Sequence, residues 1–155
     1  ATTKPAEAHT LVVPFGEQRD AWLPRYETPH GTMRIGMLLE DLDAFAAHVA
    51  IAFSDALNPR RPLTVVTAAV SHIHALAPSP RPSECDVVLS GGVVHTGRSS
   101  MDVAVSVKAL LNGGGGGGGG GELRTVMRAL FTMVAKDKRT DRPARIYALA
   151  EARTD

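Results

Sequence analysis

Three carboxylates, Glu40, Asp41 and Asp43, fall within the stretch Arg34-Ile-Gly-Met-Leu-Leu-Glu-Asp-Leu-Asp-Ala-Phe-Ala-Ala-His-Val-Ala-Ile-Ala-Phe53. On a helix, Glu40 and Asp43 share one side at i, i+3, and Asp41 turns toward His48 on the other flank. By spacing, Asp43 is an ordinary polar residue of a helix flank, and an Asp41–His48 pair is surface electrostatics rather than a dyad. Gly36, Asp43, Ala47 and Ala50 form a face of small residues plus one carboxylate, which lets another backbone or a thin ligand come close. His72 and His74, in Ser-His-Ile-His, point to one side of a strand. That spacing can hold a metal, but no third ligand is evident, so cross-strand hydrogen bonding is favoured. Arg98-Ser99-Ser100 stands in a tight turn, where an arginine suits either a phosphate or the turn itself.

The element that carries the carboxylates is the one long segment with helical periodicity. Leu38, Leu42, Phe45 and Val49 follow i, i+4, i+7, i+11, the pattern of a core-facing stripe. Asn58-Pro59-Arg60-Arg61-Pro62 is expected to end this helix. Ahead of it, His9 to Phe15 reads as a short strand confined by Pro14 to an edge or an end. Gly16 to His30 reads as an irregular arm whose aromatics, with Phe15 just before them, serve local packing rather than a lid.

Four β segments follow: Leu63 to Leu76, Cys85 to Thr96 after the Pro-rich linker Ala77 to Pro82, Ser99 to Leu111, and Glu122 to Lys136. In the third, Met101, Val103, Val105 and Val107 alternate with Asp102, Ala104, Ser106 and Lys108, which indicates one buried face. Gly91-Gly92 suggests a bulge or strong coiling, and Gly97-Arg98 a hairpin. The glycine run Gly113 to Gly121 lacks the interruptions and following helix of a phosphate-cradling loop, so it reads as a flexible hairpin tip. These elements predict an α+β architecture, a long central helix wrapped by an antiparallel meander. Residues 1–8 form a poorly ordered start, residues 9–149 one domain, and residues 150–155 a polar tail.

Of the 155 residues, 44% are hydrophobic and 21% charged, with a net charge of +1. This is the composition of an ordinary globular domain. It lacks the concentrated basic surface that phosphate-backbone affinity requires, so no nucleic-acid site is expected. The basic run Lys136 to Arg145 also contains Asp137 and Asp141 and reads as a solvated tail. No apolar run approaches the length of a membrane span. Cys85 is the single cysteine, so no internal disulfide is expected, which suits a reducing compartment. The chain opens on Ala1 rather than Met, as it would if a targeting segment had been removed; the residues present show none.

Four segments carry a resemblance. They are Arg34-Ile-Gly-Met-Leu-Leu-Glu-Asp-Leu-Asp43, Leu63-Thr-Val-Val-Thr-Ala-Ala-Val70, Ser90-Gly-Gly-Val-Val-His-Thr-Gly-Arg-Ser-Ser-Met-Asp-Val103 and Phe131-Thr-Met-Val-Ala-Lys-Asp137. In this order and spacing they resemble the mitochondrial acyl-coenzyme A thioesterase 9 family, over about Thr10 to Tyr147. The resemblance implies a hotdog fold, with domains paired so that their helices lie side by side and the sites form at the seam. It also implies hydrolysis of fatty acyl-CoA to free acid and CoA, no cofactor beyond the CoA of the substrate, no metal, and a mitochondrial location.

In the wider group, the resemblance further implies, a helix carboxylate seven residues after a glycine works with an Asn before the helix of the other domain. Gly36 and Asp43 have that spacing, so Asp43 would be base or nucleophile, with helix-start amides around Ile35 to Met37 polarising the carbonyl. The Asn position falls near Thr28, in Thr28-Pro29-His30, and no Asn is there. Thr28 and His30, with Arg98 and Ser99, would then contact substrate, the last two at the CoA phosphates. The alternative is a catalytically silent hotdog domain serving as a structural subunit of a larger mitochondrial assembly; a third is acyl binding without turnover.

Overall fold

The computed structural model describes residues 2–15, 19–76, 78, 81–111 and 121–150. In chain order the elements are β1 (Thr3–Lys4), β2 (His9–Val13), α1 (Arg19–Tyr26), α2 (Ile35–Ser54) and β3 (Leu63–Ala75). A 3-10 turn, Pro82–Glu84, leads into β4 (Cys85–Thr96), β5 (Ser100–Leu111), β6 (Leu123–Asp137) and β7 (Ala148–Leu149).

The helix α2 is the core element. Leu38, Leu42, Phe45 and Val49 are all buried, joined by Ala46, Ala50 and Phe53. Removing each large apolar side chain from water contributes about 1.5–3 kcal/mol. The helix stops earlier than Asn58-Pro59 would require. Asp55 takes left-handed geometry (φ 53, ψ 41), and the Ala56 N–H donates back to the Ile51 carbonyl, so the last carbonyls are satisfied before the prolines.

The sheet order is β2-β4-β5-β6-β3, with every neighbouring pair antiparallel. The expected four-strand meander is thus corrected: β4, β5 and β6 form a meander, but β3 lies beyond β6 at the far edge. Burial explains the placement. In β4 and β5 alternate residues are fully buried under α2, whereas β3 is fully buried at Leu63 and exposed at most other positions. A Val/Thr-rich run does not by itself say whether a strand is central or at an edge.

Gly91 sits where the helix presses on the sheet. A Cβ there would meet the Ala104 carbonyl oxygen at 2.5 Å and the Phe45 ring at 3.3 Å. The register break in β4 comes later than Gly91-Gly92, between Val93 and His95. The Gly97 N–H closes the β4–β5 hairpin on the Ser100 carbonyl at 2.8 Å.

Two further expectations are corrected. The arm before α2 contains the helix α1, with Pro24 inside it; residues 16–18 lie outside the described residues. Proline removes one helical hydrogen bond, yet packing holds the two turns, because Tyr26 is buried and stacks edge-on with Phe15 at 5.0 Å. The expected local packing of the aromatics is what forms. Within the N-terminal segment Thr3 and Lys4 form a strand: β1 pairs in parallel with β7, and Lys4 Nζ donates to the Ala52 carbonyl at 2.8 Å, near the negative end of the α2 dipole. Polar composition could not reveal a partner so distant in sequence. Of the glycine run, residues 113–120 lie outside the described residues, as do 151–155 of the tail.

Candidate active site on the exposed flank of the central helix

Asp43 is exposed on the side of α2 that faces β3. There Thr67 Oγ1 donates to Asp43 Oδ1 at 2.6 Å. Thr67 is the last residue before a register shift in the β3–β6 ladder, between Thr67 and Ala69, and the same hydroxyl lies 3.6 Å from Met133 Sδ. A hydroxyl donor fixes one carboxylate oxygen and leaves the other open to solvent. That is the state of an oriented carboxylate able to accept a proton from water or to attack a carbonyl carbon. Thr67 was not singled out from sequence, and no spacing rule links residues 24 positions apart.

Gly36 lies seven residues upstream on α2, about 10 Å along the axis at 1.5 Å per residue. It is exposed, and a Cβ added there meets nothing within 4 Å, so no packing inside this chain requires its small size. At the helix start Arg34 supplies no side-chain cap, and the Met37 and Leu38 N–H groups both donate to the Arg34 carbonyl. The polarising amides expected around Ile35 to Met37 therefore narrow to Ile35 and Gly36, whose N–H groups have no intrahelical acceptor in a first turn.

Thr28 and His30 stand in the loop joining α1 to α2, closed by the Glu27–Met33 bridge. The Thr28 hydroxyl shares a 2.7 Å hydrogen bond with the Thr32 hydroxyl and accepts the N–H groups of His30 and Thr32. Its side chain holds its own turn, with Gly31 at φ 73. Arg34 ties the loop to α2, its N–H donating to the Tyr26 carbonyl and its Nε to that of Glu27.

Arg98 and Ser99 lie at the tip of the β4–β5 hairpin, where their carbonyls accept the N–H groups of Ile146 and Ala135. This tip is at the sheet end that receives the C-terminus of α2, where the Leu63 N–H donates to the Ala56 carbonyl. The Thr28 loop is at the opposite, N-terminal end. Within one chain the structure joins Asp43 to Thr67 but does not bring Thr28 and His30 together with Arg98 and Ser99.

Two other expectations are corrected. Asp41 does not pair with His48: its carboxylate accepts the Tyr26 hydroxyl and faces Arg25 at 3.6 Å, while His48 meets the His9 ring edge-on at 5.5 Å. Burial and the Asp41 hydrogen bond both push the Tyr26 phenol well above its usual range. His72 and His74 do lie together, rings stacked at 6.4 Å, but His72 Nδ1 bonds Ser71 in its own strand rather than across strands. The register shift between Ser71 and His74 and the positive φ of His72 break the regular ladder that the cross-strand expectation assumed. Among the described residues, no His, Cys, Asp and Glu side chains cluster as a metal site, and no helix is long and apolar enough to cross a membrane.

The β3 edge beside Asp43 is open. Val66, Val70, Ile73 and Leu76 are 37–50% exposed, and β3 pairs with β6 along its other side. A long apolar edge strand is a ready template for pairing with another chain or domain.

No protein-family model matches the chain. Among curated proteins, the chain is 33% identical over 152 residues to acyl-coenzyme A thioesterase 4, mitochondrial, of Humulus lupulus, covering 96% of this chain and 27% of that protein. It is 30% identical over 140 residues to human acyl-coenzyme A thioesterase 9, mitochondrial, covering 90% of this chain and 30% of that protein. The chain thus spans about a third or less of the curated relatives it matches. Among solved structures it superposes on an apo-hexameric acyl-CoA thioesterase with TM-score 0.74 at 24% identity, covering 100% of this chain and 85% of that one. An acyl-CoA hydrolase from Bacillus cereus gives TM-score 0.70 at 25% identity, covering 96% and 75%. An alanine mutant, at an asparagine, of the acyl-CoA hydrolase from Staphylococcus aureus, in complex with coenzyme A, gives 0.73 at 20% identity, covering 99% and 79%. Mutants of the same enzyme at a threonine and at an aspartate also match. The homologues are acyl-CoA thioesterases, and the fold is the hotdog fold.

Proposed function

We propose that this chain is one hotdog domain of an acyl-CoA thioesterase, hydrolysing fatty acyl-CoA to free acid and CoA at a seam formed with a second hotdog domain. The observation that carries the reading is the Thr67–Asp43 hydrogen bond of 2.6 Å on an exposed helix flank beside an open sheet edge. Similarity to acyl-CoA thioesterases over 90–96% of the chain supports it. So does the choice of an aspartate, a threonine and an asparagine for mutation in the Staphylococcus aureus hydrolase, two of which are the residue types paired here.

In this reading the Asp43 carboxylate activates a water, or attacks directly, at the thioester carbonyl. Thr67 holds the carboxylate in one orientation, and the Ile35 and Gly36 amides, or their counterparts across the seam, stabilise the developing oxyanion. Gly36 leaves room for the thioester to approach those amides. Arg98 supplies a charge for the CoA phosphates, and since it lies at the other end of α2 from the Thr28 loop, one substrate would contact both only across a seam between domains. The partner is a second hotdog domain, in a homo-oligomer of this chain, as a tandem repeat or as another subunit, added at the β3 edge. The finer placement, in the mitochondrial thioesterase 9 family with a mitochondrial location, rests on the four motif segments and the names of the relatives.

One observation favours a second reading. Thr28 stands where the family's Asn is expected, and its hydroxyl is occupied by its own turn. A domain that supplies a carboxylate but no Asn is suited to be the silent partner of an active one, or a structural subunit. The deciding experiment measures CoA release from short, medium and long acyl-CoA by the natural assembly and by its Asp43→Asn variant. Turnover that survives in the variant removes Asp43 from the mechanism; no release from any substrate by the folded assembly leaves the structural reading.

A further inference from the structure

On the flank of α2 away from Asp43, the strand β2, the helix α1 and α2 itself border a half-open cavity of about 530 Å3. That volume is within the roughly 300–1,000 Å3 common for small-molecule sites. Its body is apolar, formed by Leu11, Val13, Trp22, Ala44 and Phe45. Its polar side chains include Arg25, Tyr26, Asp41, Thr10, His9 and His48.

The balance of donors and acceptors there selects a ligand. The one carboxylate, Asp41, already accepts the Tyr26 hydroxyl and faces Arg25. Arg25 has five N–H donors in a rigid fork, its side chain is 48% exposed, and its guanidinium rides over the Tyr26 ring at 5.6 Å, so donors remain beyond those turned to Asp41. The imidazoles of His9 and His48 each offer one ring N–H beside one acceptor nitrogen and so leave that balance unchanged; the unspent donors are those of Arg25. The site therefore combines an apolar body with a surplus of donors, and the head group that complements it is an acceptor.

We propose that this cavity binds an aliphatic carboxylic acid, its chain against Leu11, Val13, Trp22 and Phe45 and its carboxylate on Arg25 and His48. The ligand belongs to the product class of the proposed hydrolysis; for the ligand's source the inference rests on that reading, but the binding itself does not. A free acid held here places a product site on one side of α2 and the carboxylate of the reaction on the other.

Trp22 is the only tryptophan in the chain, so its emission reports on the cavity directly. The chain is titrated with decanoate and, in parallel, with decanol, following Trp22 emission and heat of binding. A saturable response to decanoate is expected. It should weaken about tenfold or more with decanol, and likewise in Arg25→Gln, the scale of one lost charge-assisted hydrogen bond. Ala44→Phe, which fills the cavity from the exposed side of the helix, should abolish it. Equal binding of decanol and decanoate overturns recognition of a carboxylate. No response to either, as expected if a neighbouring copy covers the cavity, overturns the site. Titration of Asp43→Asn separates this inference from the thioesterase reading. Unchanged decanoate binding there supports the cavity whether or not any acyl-CoA is turned over, and loss of binding in that variant places the acid on the other flank and overturns the proposal.

Discussion

Asp41 and Asp43 are the same residue type, two positions apart on one helix, and they have opposite fates. At about 100° per residue they project some 200° apart. Asp41 turns toward α1 and is captured by the buried Tyr26 and by Arg25. Asp43 turns toward the β3 edge, stays exposed and is held by a single threonine hydroxyl. A carboxylate held by a buried hydroxyl and a half-exposed guanidinium is a structural tie; one oriented by a neutral hydroxyl and open to solvent keeps a reactive oxygen. What separates them is not the side chain but what the fold packs against each flank of α2.

The contrast can be broken experimentally. Its largest expected consequence is on chemistry: Asp43→Asn should lower CoA release at least about a hundredfold, the scale of a principal acid–base or nucleophilic group, and move urea stability by no more than about 0.5 kcal/mol, as for an exposed site. Asp41→Asn should do the reverse on the stability axis. It leaves the Tyr26 hydroxyl a poorer acceptor and Arg25 unpaired, and should lower urea stability by about 1–3 kcal/mol. Equal stability losses in the two variants would mean that the two carboxylates are held alike.

A smaller effect sharpens the role of Thr67. Thr67→Val keeps the shape and removes the donor, so turnover should fall about tenfold through a misoriented carboxylate, with Thr67→Ser restoring most of it. That factor corresponds to about 1.4 kcal/mol, the range of one hydrogen bond. An unchanged rate in Thr67→Val would mean that the Asp43–Thr67 contact is incidental.

The smallest effect lies in the core. Burial, with neighbouring acids adding to it, pushes the Cys85 thiol up from its ordinary 9.0 to about 11, so the folded state favours the protonated form. The unfolded chain releases that proton as pH passes 9, and the contribution of Cys85 to stability is therefore full below about pH 9 and lost as pH rises toward 11. Urea midpoints at pH 8 and pH 10.5 should diverge less in Cys85→Ala than in the parent chain. Equal divergence would assign the alkaline loss elsewhere, Tyr26 being the next candidate.

Much of the architecture was legible because it depends on local pattern. The stripe Leu38, Leu42, Phe45 and Val49 names the buried face of α2, since only a 3.6-residue period makes those positions neighbours. The alternation from Met101 to Lys108 likewise predicts one covered face of β5. Legibility failed where partners are remote. Polar composition marks Thr3–Lys4 as a loose end, and the pairing with Ala148–Leu149 is invisible to it; a β run over Leu63 to Leu76 reads as the first strand of a meander, and only its ladder with β6 puts it at the far edge. Pro24 suggested an irregular arm because a lost backbone hydrogen bond can be read in sequence, whereas the packing of Tyr26 against Phe15 that offsets it cannot.

The candidate site divides the same way. Gly36 and Asp43 come from the resemblance, since by spacing alone Asp43 is an ordinary polar residue of a helix flank; helix periodicity says only that both lie on α2. Their setting comes from the tertiary structure: Thr67 reaches Asp43 from a strand 24 residues on, the Thr28 hydroxyl is spent on its own turn, and Arg98 stands at the other end of the helix from His30. The sequence by itself determined which residues face the core and which carry charge, since those follow from local periods and side-chain chemistry. Only the folded chain decided which carboxylate is bound and which is open, because that depends on contacts between segments whose separation along the chain holds no record of their distance in space.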